Sequence, residues 1–100
     1  MSAGPNPDHA GACRSARLRG FFRDHRLRCT RQRELIYSAL ADSRSHPTAE
    51  ELFQIVRSSE PGLSLATIYN TLDVFAERGL CRRLPSAVGN GPSRYDAHTG

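Results

Sequence analysis

Between Arg14 and Arg33 the chain carries eight arginines, Arg14, Arg17, Arg19, Arg23, Arg26, Arg28, Arg31 and Arg33, against the single acid Asp24. Guanidinium groups at this density suit a polyanion, because each planar fork can meet a phosphate through two parallel hydrogen bonds. The whole chain bears only +4, so the rest is slightly acidic and the positive charge is local. A second set of contact residues lies further on. Ala66, Thr67, Tyr69 and Asn70 combine small and hydrogen-bonding side chains with no carboxylate among them. Such a mixture suits an element pressed into the major groove of DNA, where small residues permit close approach, polar ones meet base edges, and acids would repel phosphates.

The remaining reactive side chains are scattered. Cys13, Cys29 and Cys81 are odd in number, widely spaced and without a C-x-x-C pair. Neither a disulfide framework nor a zinc knuckle is therefore expected, and a reducing cytoplasm fits. An enzyme using Cys81 with His46 or His98 is an alternative, but no flanking motif accompanies a nucleophile here. A helical chain of 100 residues also leaves little room for a substrate cleft.

Positioning these residues requires a small helical scaffold. Residues 1–12 are rich in Gly, Pro, Ala and Asn without periodicity, which predicts a disordered tail in which His9 is inert. From about Cys13 to His25, Leu18, Phe21 and Phe22 form an apolar stripe among arginines, the pattern of a first helix with a basic outer face, weakened by Gly20. Thr30 caps a second helix to about Ala41 with Leu35, Ile36, Ala39 and Leu40 inward. Thr48-Ala49-Glu50-Glu51 is a capping box opening a third, with Leu52, Ile55 and Val56 inward. Ser59-Glu60-Pro61-Gly62 stops it.

Ser64 then caps a fourth helix whose Leu65, Ile68, Leu72, Phe75 and Ala76 share one face, and Gly79 followed by Leu80 ends it. Its other face presents Ala66, Thr67, Tyr69 and Asn70 early, with Asp73 and Glu77 late. An ordinary packed surface helix would show the same amphipathicity. Leu80–Leu84 and Arg94–Asp96 are expected strands joined by a loop from Pro85 to Ser93. The fold class is mainly α with a small β-hairpin, a winged helix-turn-helix at residues 13–100. No apolar run is long enough for a membrane span and the amino terminus lacks a secretory signal, so a cytoplasmic protein is expected.

Four motifs, Leu27-Arg28-Cys29-Thr30-Arg31-Gln32-Arg33, His46-Pro47-Thr48-Ala49-Glu50-Glu51-Leu52, Ser64-Leu65-Ala66-Thr67-Ile68-Tyr69-Asn70-Thr71-Leu72 and Ser93-Arg94-Tyr95-Asp96, together resemble the ferric uptake regulator family. The resemblance spans about residues 14 to 100 and rests on the order and spacing of all four. It implies a metal-dependent or peroxide-responsive transcription regulator, most often a repressor, that binds double-stranded DNA at an A·T-rich operator. The family's groove-contacting tyrosine falls on Tyr69. Asn70 occupies the neighbouring position, where asparagine leans toward the peroxide-sensing branch. The basic residue inserted into the minor groove falls on Arg28, with Arg31 beside it in the same motif. Arginine suits the negative potential of narrow A·T-rich grooves.

By the same resemblance His46 and Asp96 are regulatory ligands for Fe, Mn or Zn, whereas His98 matches no family ligand. Taken alone, a histidine before proline in a turn is a common structural residue. Family members continue into a histidine cluster and a carboxy-terminal dimerisation domain, neither of which is present up to Gly100. The metal ligand set is therefore incomplete, the family's homodimer is doubtful for this chain, and a truncated regulator or an isolated DNA-binding domain is expected. A winged helix serving as a protein-interaction module without metal sensing is the alternative from another functional class.

Overall fold

A computed structural model describes residues 13–43, 45–85 and 91–97. Four helices, α1 (Ala16–Asp24), α2 (Arg31–Asp42), α3 (Ala49–Val56) and α4 (Leu65–Arg78), precede two short strands, β1 (Arg82–Leu84) and β2 (Arg94–Asp96). The expected tail, the centre of the hairpin tip and His98 lie outside the described residues.

Side-chain caps set the helix starts. Thr30 accepts the Arg33 amide at 3.2 Å and Ser64 that of Thr67 at 3.2 Å. Thr48 and Glu51 satisfy each other's amides at 3.1 and 2.9 Å. Each such cap contributes about 1 kcal/mol. The first helix begins later than the apolar stripe predicts, because Ser15 is extended and its hydroxyl accepts the Leu18 amide. At the other end of the domain Gly79 takes a left-handed φ of 82°. The Leu80 amide then reaches Phe75 O at 2.8 Å and that of Gly79 reaches Ala76 O at 3.3 Å, the paired bonds of a Schellman stop.

The expected apolar faces converge on one core, in which Ile36, Leu40, Leu52, Ile68, Leu72 and Phe75 are essentially inaccessible. Phe22 joins it from α1, its ring 5.6 Å from Phe75 and 5.7 Å from Tyr37. Several expectations shift at the edges. Leu18, Phe21, Leu35, Ala39, Leu65 and Ala76 are only partly covered. Ile55 is 52% exposed, since it points about 100° away from Val56 around α3, beyond the face that meets α2 and α4.

The strands pair antiparallel, Arg82 with Asp96, Arg83 with Tyr95 and Leu84 with Arg94. β1 is shorter than expected at its start because the Leu80 amide is already engaged by the end of α4, and Leu80 and Cys81 are buried as its anchor. A bridge from Thr48 to Arg94 and the Tyr95 amide on Pro47 O at 3.0 Å attach the hairpin to the start of α3. Helices α3 and α4 followed by this hairpin make a winged helix-turn-helix. No helix of the described residues is long and apolar enough to cross a membrane.

One expectation about the cysteines is overturned. Cys13 and Cys29 form a disulfide with their Cα atoms 5.5 Å apart. The chain reverses at Arg26, whose φ is 60°, and the Leu27 amide closes back on Phe22 O at 2.9 Å. Residues 27–29 then run back along α1 toward its start. Sequence spacing does not reveal that reversal, so two distant cysteines read as unrelated.

Candidate nucleic-acid interface and metal position

The first two turns of α4 stand clear of the core on one side. Ala66, Tyr69 and Asn70 are exposed, Tyr69 by 41%, and no acid occupies the first turn. Thr67 is half-buried, with its hydroxyl 3.0 Å from that of Ser64. Opposite them Ile68, Thr71, Leu72 and Phe75 are buried, so packing fixes the rotation of the helix and with it the direction of the four candidate contacts. Asp73, further along, is engaged by Arg83 of β1. That pairing offsets a carboxylate on the side of α4 that faces the hairpin.

The two candidate arginines stand differently. Arg28 is exposed, and its carbonyl accepts Arg33 Nη1 at 2.9 Å, which steadies the backbone that carries it. Arg31 is turned toward Glu34, Nη1 to Oε1 at 2.8 Å, leaving its side chain 25% exposed. Around the reversal, Arg19, Arg23, Arg26, Leu27, Arg28 and Cys29 line an open cavity of about 490 Å³. Four guanidinium-bearing residues at one concavity concentrate positive potential there.

Glu34, given no role by the sequence reading, holds this basic segment to α2. Its Oε1 accepts the Arg14 amide at 3.0 Å and its Oε2 that of Ser15 at 2.8 Å, while the residue is only 6% exposed. Burial by itself would raise its pKa, but the bonds from Arg14, Arg31 and Ser15 outweigh that and hold it below the ordinary 4.5. Glu34 stands four residues after the capping Thr30, one beyond the capping-box position held by Arg33, and its partners Arg14 and Ser15 lie 20 and 19 residues upstream, so no local signal marks it.

His46 and Asp96 are brought together as the resemblance implies, Nε2 to Oδ2 at 3.9 Å. Three links position the loop. Arg94 Nη1 donates to His46 O at 3.0 Å and lies 3.5 Å from Glu51 Oε1, and Pro47 O accepts from Tyr95. His46 itself has φ 52°, a conformation unfavourable for a side chain with a Cβ and kept only by such surrounding ties. The same Asp96 Oδ2 accepts Arg82 Nη2 at 3.3 Å. Among the described residues no group of three His, Cys, Asp or Glu side chains is placed to hold a metal. One imidazole and one carboxylate are two donors of the four or more that Zn, Mn or Fe ordinarily takes. His46 and Asp96 therefore do not make a complete metal site among the described residues.

Cys81 is buried against Leu72 O at 3.9 Å. Burial pushes its thiol up to about 11, the nearby Arg83 opposing only in part. A sulfur so held stays protonated near neutral pH and is a poor nucleophile.

Helix-turn-helix, hairpin wing and arginine-rich approach define the class as a winged-helix protein, and comparison narrows it. Residues 24–100 match the ferric uptake regulator family, and the chain belongs to that family. The peroxide-responsive repressor PerR of Staphylococcus saprophyticus is 42% identical over 78 residues, 78% of this chain and 51% of the relative. Among solved structures, PerR from Streptococcus pyogenes superposes with a TM-score of 0.72 at 28% identity, over 83% of this chain and 56% of that one. A zinc-bound manganese uptake regulator gives 0.71 at 31% identity, over 80% and 59%. This chain spans about half the length of the curated relatives it matches. The PerR likeness agrees with the lean of Asn70 toward the peroxide-sensing branch.

Proposed function

We propose that this chain is the DNA-reading part of a cytoplasmic metal- or peroxide-responsive transcriptional repressor and has no enzymatic activity of its own. Residues 13–100 act as one winged-helix domain. The observation that carries the reading is the acid-free, exposed start of α4, held at fixed rotation by a buried face. In this reading α4 enters the major groove of an A·T-rich operator with Ala66 and Thr67 closest to the bases. Tyr69 and Asn70 make base contacts, and Arg28 reaches the adjacent minor groove. Arg31, one nitrogen of which is held by Glu34, keeps its other donors for a phosphate. His46 and Asp96 supply the DNA-binding domain's share of a regulatory metal site that other ligands complete, and repression by the whole protein proceeds through a dimer.

Fluorescence anisotropy of a labelled duplex across a salt series tests this. Log affinity is expected to fall by about 0.9 for each phosphate contact per unit of log salt, giving a steep line. An affinity for duplex DNA that ignores salt would contradict the assignment.

A further inference from the structure

Cys13 and Cys29 lie 16 residues apart in sequence and bridge the start of α1 to the residue next to Arg28. Cys13 precedes the part of the chain that matches the family, which begins at residue 24, so the bridge is not a feature of that match. Its two ends differ in access. Cys13 is 3% exposed, whereas Cys29 is half-buried and lines the open cavity with Arg19, Arg23, Arg26 and Arg28. The bridge is also wired to the arginines. Arg19 Nη1 donates to Cys13 O at 3.0 Å, and the Arg28 backbone adjoining Cys29 is gripped by Arg33. One covalent bond therefore fixes both edges of the basic concavity.

We propose that Cys13 and Cys29 are a reversible thiol–disulfide site, entered at Cys29 by an anionic low-molecular-weight disulfide or thiol, and that its state sets DNA affinity. This coupling rests on the proposed DNA-reading function. Oxidation runs in two exchanges. Cys29 thiolate attacks one sulfur of the small disulfide and expels a first thiolate, leaving a mixed disulfide on Cys29. Cys13 thiolate then attacks Cys29 Sγ and expels the second. Two electrons pass from the protein to the small disulfide, and the two thiol protons end on the two released thiols. Reduction is the reverse, with two equivalents of small thiol. The arginines around Cys29 draw in the carboxylates of such a reagent, and Cys81, buried with its thiol pushed up to about 11, stays outside the exchange. With the bridge closed, the Cys13 carbonyl and the Arg28 segment are held before DNA arrives, so the oxidised chain binds more tightly. With it open they must be ordered on binding, at a cost of about three- to tenfold in affinity, that of immobilising one or so long side chain.

The test equilibrates the full chain in buffers of reduced and oxidised glutathione, blocks thiols under denaturing conditions, and counts adducts by mass. Three adducts are expected at the reducing end, one for each cysteine, and a single adduct at the oxidising end. The Cys13→Ser variant is expected to accumulate one glutathione, on Cys29. Duplex affinity in the two states is expected to differ about three- to tenfold, and the Cys13→Ala/Cys29→Ala variant to be indifferent to the buffer. Three adducts throughout, or glutathione on Cys81 in place of Cys29, overturn the redox site. Equal affinities in both states overturn the coupling and leave the DNA-reading function intact. Failure to bind DNA in either state removes that function and the coupling with it, whereas the adduct count still decides whether the cysteines exchange.

Discussion

Glu34 accepts the backbone amide of Ser15 at 2.8 Å, across 19 residues of chain. The same carboxylate holds the Arg14 amide and the Arg31 guanidinium, so the arginine-rich amino-terminal segment is docked on α2 through a single buried acid. The aromatic cluster of Phe22, Tyr37 and Phe75 closes the other side of that contact.

That dependence predicts a pH response. The folded pKa of Glu34 lies below its ordinary 4.5, so its contribution to stability is complete above 4.5 and is lost as pH falls through the lower folded value. Glu34→Gln offers one acceptor and one amide donor where two oxygens now accept. It is expected to destabilise the fold by about 1–3 kcal/mol near neutral pH and to flatten stability below pH 4.5. Denaturant titrations of both proteins from pH 3 to 7 measure this, and an unchanged acid slope in the variant would count against the assigned role.

Gly20→Ala is expected to stabilise. Gly20 sits inside α1, and a Cβ there would meet Arg23 Nη2 at 4.0 Å, an ordinary contact. Replacing glycine within a helix gains about 0.5–1 kcal/mol. Thermal denaturation should show a rise of a few degrees, and a fall would mean that α1 needs the glycine for a contact beyond this chain's own fold.

Much of this architecture was legible because the determinants are local. Ser64, Thr30, the Thr48–Glu51 box and Gly79 act within four residues of themselves, and each behaves as its type requires. What escaped depends on distant chain meeting. The Cys13–Cys29 bridge follows from a left-handed Arg26 that no turn signal marks. Glu34 gains its role only when Arg14 and Ser15, about 20 residues upstream, fold onto it. Ile55 fits a helical apolar period, but an eight-residue α3 is covered along too narrow a face to bury it. The approach of His46 to Asp96 was expected from family resemblance alone, since nothing in the residues between them says that they meet.

Metal is expected to change little in this 100-residue chain. Among the described residues His46 and Asp96 provide two donors, and Arg82 already occupies the Asp96 oxygen that faces His46. Adding Mn or Zn at tens of micromolar should leave both sedimentation mass and DNA affinity unchanged. A metal-induced dimer that binds DNA more tightly would show that residues within this chain suffice for sensing.

The central claim, that α4 reads bases and Arg28 reads groove shape, is tested most directly by one comparison. Affinities of the parent chain, Tyr69→Ala, Asn70→Ala and Arg28→Ala are measured on an A·T-rich palindromic duplex and on a G·C-rich duplex of equal length. Tyr69→Ala and Asn70→Ala are each expected to lose about 1–3 kcal/mol on the A·T-rich site with much less change on the other. Arg28→Ala should weaken binding chiefly where the minor groove is narrow. Equal losses on both duplexes for all three variants would mean that these side chains meet phosphates only, and the account of base reading by α4 would be wrong.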